Sequence, residues 1–164
     1  MVAAVVLAAG AASRFGSPKQ QRYLPEVLRR VRASGVDELV VVAGAHPLET
    51  NARVVDCADW ERGPGASLRC GLGALDDEVE AAVVILADGP WLDPRAVDRV
   101  VEAWRAGAGE RLGATYDGVT RSHPVLLARA AWPDVPDEGA RGVDVALVDC
   151  TDLAAPGDVD VPPD

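Results

Sequence analysis

Residues 7–19 read LAAGAASRFGSPK, and their types bear on one kind of chemistry. Gly10 and Gly16 have no side chain to keep a ligand away, so backbone N–H groups there can approach an anion closely. Arg14 and Lys19 place two cations beside them. In physical terms this is a cradle for phosphate, and the competing reading is a turn whose charges face solvent. It is not a Walker A loop, because no Gly-Lys-Ser/Thr closes it, and it is not G-x-G-x-x-G. A second candidate is Asp88, directly after the apolar run Ala82–Ala87. A carboxylate there suits a hard cation, since Mg²⁺ takes one or two carboxylates together with substrate phosphates. Asp93 precedes Pro94 and is accounted for as a helix cap, which leaves Asp88 without a structural duty. Ser67 presents a hydroxyl at the expected start of a helix, where it can cap the helix, meet a ligand, or do both.

Lys19 stands out on composition. The chain has 16 basic residues, and Lys19 is the only one that is not arginine. An Arg-, Ala-, Val- and Gly-rich composition is what a GC-rich gene produces, so the arginines need no functional cause. A lysine kept against that bias is a different matter. Its ammonium is a compact, mobile point charge, whereas a guanidinium is a rigid fork.

Buried strands are needed to position these groups. Val2–Ala8 is a continuous apolar run of the kind found in a parallel sheet covered on both faces. Leu39–Ala43 and Ala82–Ala87 repeat that pattern, and Val54 and Val55 mark a weaker strand. Helices are predicted over Pro25–Ser34, with Pro25 in the first turn; over Ser67–Leu75, weakened by Gly71 and Gly73; and from Asp93-Pro94 onward, with Val97, Val100, Val101 and Trp104 on the buried face. Beyond Gly107 come short strands over Leu112–Tyr116, Pro124–Leu127 and Val143–Val148, with a turn at Asp117-Gly118 and a loop-like tail. Strand and helix alternate, so the expected fold is a three-layer α/β/α sandwich with a mostly parallel sheet, as one domain over residues 1–164. Ligands of such sheets sit beyond the carboxyl ends of the strands, and both the first loop and Asp88 fall there.

Bulk properties narrow the partners. The net charge of −10 leaves no surplus of cations for a nucleic-acid backbone and disfavours an anionic membrane surface. Small anions need only a few local donors. The apolar start, Met1–Ser13, lacks the basic flank of a secretory signal and reads as a buried strand. Three widely spaced cysteines, with no C-x-x-C, argue against a zinc site or a disulfide framework and fit a reducing compartment. The cytoplasm is therefore expected. A receiver domain phosphorylated on Asp88 is set aside, because Ala8, Ala9 and Gly10 stand where it needs an acidic pair.

The first loop resembles the signature of the MobA-like nucleotidyltransferases, L-A-A-G-x-S-x-R-M-G-x-P-K. It is most similar to the molybdenum-cofactor cytidylyltransferase branch, since the guanylyltransferase branch usually shows L-A-G-G. The resemblance implies a Rossmann-like nucleotidyltransferase fold in which Leu7, Ala8, Ala9, Gly10 and Gly16 wrap an NTP triphosphate and Arg14 and Lys19 hold its phosphates. Ala12 and Phe15 depart from the pattern. ADWERGPGASLRCGL (58–72) is similar to the family's W-x-x-G-x-x-x-S-L-x-x-G-L, which puts Ser67 beside base and ribose. VVILADGPWLDP (83–94) resembles the stretch whose aspartate binds Mg²⁺, here Asp88, with Gly89 replacing the usual Gln or Met. TRSHPVLL (120–127) is similar to R-G-H-P-V-L, in which His123 reads as structural. DVDVPPD resembles D-I-D-T-P-E-D and implies Asp160 as a second metal ligand, with Asp158 as competitor.

The expected function is thus Mg²⁺-dependent transfer of an NMP, CMP from CTP ahead of GMP from GTP, to a phosphorylated acceptor such as molybdopterin. Between Lys19 and the first helix the chain is several residues shorter than the family, in a region that helps shape the acceptor side. A nucleotide-binding copy without full activity is the alternative.

Overall fold

The computed structural model describes residues 1–10 and 19–157. A seven-stranded sheet has the order β3-β2-β1-β4-β6-β5-β7, built from β1 (Val2–Ala8), β2 (Glu38–Ala43), β3 (Arg53–Asp56), β4 (Ala81–Leu86), β5 (Arg111–Thr115), β6 (Arg121–Ala128) and β7 (Ala146–Asp149). Strands β1 to β4 pair in parallel, β6 is antiparallel to both β4 and β5, and β5 and β7 are parallel. The apolar run of β1 is explained by its central place. Val2, Ala4 and Val6 enter the core on one face and Ala3 and Val5 the core on the other, which is the two-residue period of a strand.

Helices α1 (Lys19–Arg32) and α3 (Pro94–Arg105) close the first face with Leu24, Val27, Leu28, Val31, Val97 and Val100. Helix α2 (Pro64–Gly73) closes the second with Leu68 and Leu72, joined by Val135 and Ala140 from the 129–142 segment. The expected three-layer α/β/α arrangement with a mostly parallel sheet is what the chain adopts. Asp93 caps α3 as expected: its Oδ1 accepts the Arg95 N–H at 2.9 Å, and the Arg95 guanidinium holds the carboxyl below the usual aspartate range.

Two helix starts differ from the sequence reading. Helix α1 begins at Lys19, so Pro25 lies inside it rather than in its first turn. A proline there removes one backbone donor, but Leu24 is fully buried against the sheet with Val27, Leu28 and Val31. That apolar stripe spans the proline and holds the earlier turn in place. Helix α2 begins at Pro64 with Gly63 as N-cap. Ser67 therefore lies within the helix, 4% exposed, and is not its cap. Gly71 marks the closest approach of α2 to the sheet: a Cβ there would lie 2.6 Å from Val5 Cγ1 and 2.8 Å from Val42 Cγ2.

The cysteine reading is also corrected. Cys57, just past β3, and Cys70 on α2 are joined as a disulfide, with Cα atoms 5.9 Å apart, inside the range such a bond needs. Their 13-residue separation matches no sequence signature. Folding α2 back over β1 and β2 is what brings them together, and the cysteine-based case for a reducing compartment lapses with it. Cys150 is the remaining thiol, fully buried, and burial pushes it up from its ordinary pKa. No helix among the described residues is long and apolar enough to cross a membrane.

Candidate active site

The carboxyl ends of the parallel strands define one edge of the sheet. At that edge the Ala87 N–H donates to the Leu7 carbonyl at 3.0 Å, and the Ala45 N–H donates to the Ala9 carbonyl at 3.1 Å. The exits of β1, β2 and β4 are thereby laced together through their backbones. Ala8 and Ala9 are buried and Gly10 is exposed, so the chain leaves the core as it enters the first loop. Asp88 sits in the turn after β4, partly exposed, one residue beyond the Ala87 that bonds to Leu7. Two of the sequence candidates, the exit of β1 and Asp88, thus share one edge. Lys19 is the first residue of α1. Arg14, Gly16, Asp158 and Asp160 lie outside the described residues, so the phosphate-loop and second-ligand expectations that rest on them stay expectations.

The reversed strand β6 begins at this same edge, because Ala81–Val84 pair with Ala128–Val125 in antiparallel register. Arg121, Ser122 and His123 therefore stand beside the exit of β4. With them they border a cavity of about 440 Å³, of a size typical of small-molecule sites. Its floor is apolar, from Ile85, Leu86, Leu92 and Val125, and its rim carries Arg121, His123 and Arg141. The R-G-H-P-V-L match covered Arg121 without giving it a role, and sequence patterning did not single out Arg141. Arginine is the commonplace cation of this chain, and residue 141 reaches the site only through folding.

Side chains brace this half. The Arg121 guanidinium donates to the carbonyls of Val143 and Ala140, fixing the turn that bears Arg141. Tyr116 Oη donates to the His123 carbonyl at 2.7 Å, and burial pushes its phenol up. The His123–Pro124 bond is cis. The partly buried side chain of His123 lines the cavity.

Gly89, the departure from the usual Gln or Met, has a spatial reason. A Cβ on it would lie 3.1 Å from both the Gly157 carbonyl oxygen and Pro156 Cβ. The segment Ala155–Gly157 runs across it as a strap, held by the Trp91 N–H to the Pro156 carbonyl at 3.0 Å, and it forms one wall of the cavity. Arg99 on α3 anchors the approach to the strap by a paired contact with Asp152, at 2.5 and 2.8 Å. The guanidinium lowers the Asp152 carboxyl to about 2.

A metal fits this edge in one way. Among the described residues no three His, Cys, Asp or Glu side chains cluster as a cage. A cation at Asp88 would take one protein carboxylate and complete its shell with substrate oxygens, the habit of Mg²⁺ bound with phosphates.

A layered sheet whose strand exits gather a carboxylate and a cavity puts the chain in the class of α/β proteins that bind ligands beyond the carboxyl ends of their strands. Within that class the chain belongs to the MobA-like NTP transferase family, whose domain profile matches residues 4–146. It is 34% identical over 122 residues to the bifunctional protein GlmU of Cutibacterium acnes, covering 64% of this chain and 29% of that protein. The chain thus spans about a third of the length of the curated relatives it matches. Its fold superposes on the homologue of Mycobacterium tuberculosis Rv0371c from Mycobacterium sp. strain JC1, with TM-score 0.79, 25% identity and coverage of 98% of this chain and 90% of the other. It also superposes on CMP:2-keto-3-deoxy-manno-octonic acid synthetase complexed with CTP, with TM-score 0.71, 12% identity and coverage of 98% and 93%.

Proposed function

We propose that the protein is a Mg²⁺-dependent nucleotidyltransferase that moves CMP from CTP to a phosphate-bearing small molecule, molybdopterin being the favoured acceptor. The observation that carries this reading is the meeting, at one sheet edge, of the β1 exit, the Asp88 turn and a cation-rimmed cavity. The family signature in residues 7–19 supports an NTP as donor, and its L-A-A-G form supports cytosine over guanine.

In the reaction, an acceptor phosphate oxygen attacks the α-phosphorus of CTP. The bond to the bridging oxygen breaks, and pyrophosphate leaves with that oxygen. Such in-line transfer depends on positioning and charge neutralisation more than on a protein nucleophile. Gly10 and Gly16 offer backbone donors to the triphosphate, and Lys19 and Arg14 offset its charge. Ser67, in the first turns of α2, is assigned to the nucleoside side. Asp88, with Asp160 as second ligand, would hold Mg²⁺, which neutralises charge on the phosphate oxygens when bound. An enzyme consuming CTP works where that nucleotide is made, so the cytoplasm is its expected place. These parts fall within one domain over residues 1–164.

The test is a pyrophosphate-release screen of CTP, GTP, ATP and UTP with Mg²⁺, with and without molybdopterin. Acceptor-dependent release, fastest with CTP, is expected. Tight binding of NTP–Mg²⁺ without release under any phosphorylated acceptor would instead identify a nucleotide-binding module of the same fold.

A further inference from the structure

The cavity at the start of β6 is built to select by charge and by size. Two arginines line it. The guanidinium of Arg121 is committed to the Ala140 and Val143 carbonyls. Arg141, on the turn those bonds fix, makes no side-chain hydrogen bond or ion pair among the described residues, although it is exposed and lines the cavity. In a chain of net charge −10, a cation lining a cavity without an ion pair attracts anions locally. The floor beneath it, Ile85, Leu92 and Val125, is buried and apolar. The far wall is the Ala155–Gly157 strap, which packs so closely over residue 89 that a Cβ there would lie 3.1 Å from it. That strap falls beyond residues 4–146, the stretch matched by the family profile.

We propose that this cavity admits an acceptor with an apolar body and an anionic group, that Arg141 is the side chain that holds the anion, and that the contact between the strap and Gly89 sets the size of the body. The proposal rests on the nucleotidyltransferase reading for the word acceptor, but the binding selectivity is independent of catalysis.

The experiment measures affinity for 1-naphthyl phosphate and for uncharged 1-naphthol, with CTP–Mg²⁺ affinity recorded in parallel. Wild-type protein is expected to bind the phosphate at least about 10-fold more tightly than the alcohol, the scale of one charged contact. Arg141→Ala should erase that preference and leave naphthol binding unchanged, and Arg141→Lys should restore part of it. Gly89→Met, by displacing the strap, should change the affinity for both naphthyl probes by a similar factor and leave CTP–Mg²⁺ affinity as it was. A preference that survives in Arg141→Ala overturns the charge assignment. Naphthyl affinities unaltered by Gly89→Met overturn the size assignment. Loss of 1-naphthyl phosphate binding on addition of saturating CTP–Mg²⁺ places the probe in the donor site and overturns both. Failure of CTP–Mg²⁺ to bind wild-type protein counts against the nucleotidyltransferase reading alone, since the naphthyl preference is scored without it.

Discussion

The sheet edge has two halves made by different means. On the side of β1, β2 and β4, the described site is largely backbone: strand exits tied by the Ala87–Leu7 and Ala45–Ala9 hydrogen bonds, on strands buried on both faces. On the side of β5, β6 and β7, it is braced by side chains, with Arg121 on two carbonyls, Tyr116 on His123 and Arg99 on Asp152. A rigid parallel core is suited to a constant task such as holding a triphosphate. A braced periphery can be re-aimed by single substitutions, which suits the recognition of one particular acceptor.

The sharpest way to break this contrast is on the side of β1, β2 and β4. Asp88→Asn should abolish Mg²⁺-dependent pyrophosphate release while thermal unfolding stays cooperative and near wild type; retained turnover removes the metal role from the β4 turn. Lys19→Ala comes next, with turnover lowered about 100- to 1,000-fold, as for loss of one charge-stabilising donor. Near-normal rates would return Lys19 to the solvent-facing reading.

Packing beneath the β1–β2 side sets the third effect. Gly71→Ala places a methyl against Val5 and Val42, and urea unfolding should show a loss of about 1–3 kcal/mol. An unchanged midpoint would mean that α2 can lift from the sheet without cost. Asp93→Ala, at the start of α3 between the halves, should cost about 1 kcal/mol by the same measurement.

The smallest effect is an acid-limb test of the peripheral half. Asp117 accepts the Thr120 N–H at 2.6 Å and the Val119 N–H at 2.8 Å, and these bonds hold its carboxyl well below the usual range. A lowered folded-state pKa gives stability that is complete above the unfolded value of about 3.9 and is lost as pH falls through the folded one. The melting temperatures of wild type and Asp117→Asn should therefore converge on acidification below about pH 4. A gap that stays constant with pH would detach Asp117 from the turn.

Legibility follows the same division. The apolar runs of β1, β2 and β4, the Asp93 cap, the Asp117-Gly118 turn and the buried stripe of α3 could all be read in order, because each depends on neighbours a few residues away. The start of α1 was misplaced because proline is a local signal and the burial of Leu24 is not. The start of α2 was placed late, at Ser67, for a related reason: Gly63 and Pro64 carry the helix start without a capping side chain, which removes the cap among the readings open to Ser67.

Sequence alone determined the layered α/β class, the phosphate-loop signature with its single lysine, and Asp88 at a strand exit, since periodicity and motif are properties of short stretches. Only the tertiary structure decided that Cys57 meets Cys70, that Arg141 reaches the cavity through a turn held by Arg121, and that Gly89 makes room for a strap 66–68 residues further along. Those pairings join distant segments, and no local pattern encodes them because the forces that create them act only once the sheet has brought the segments together.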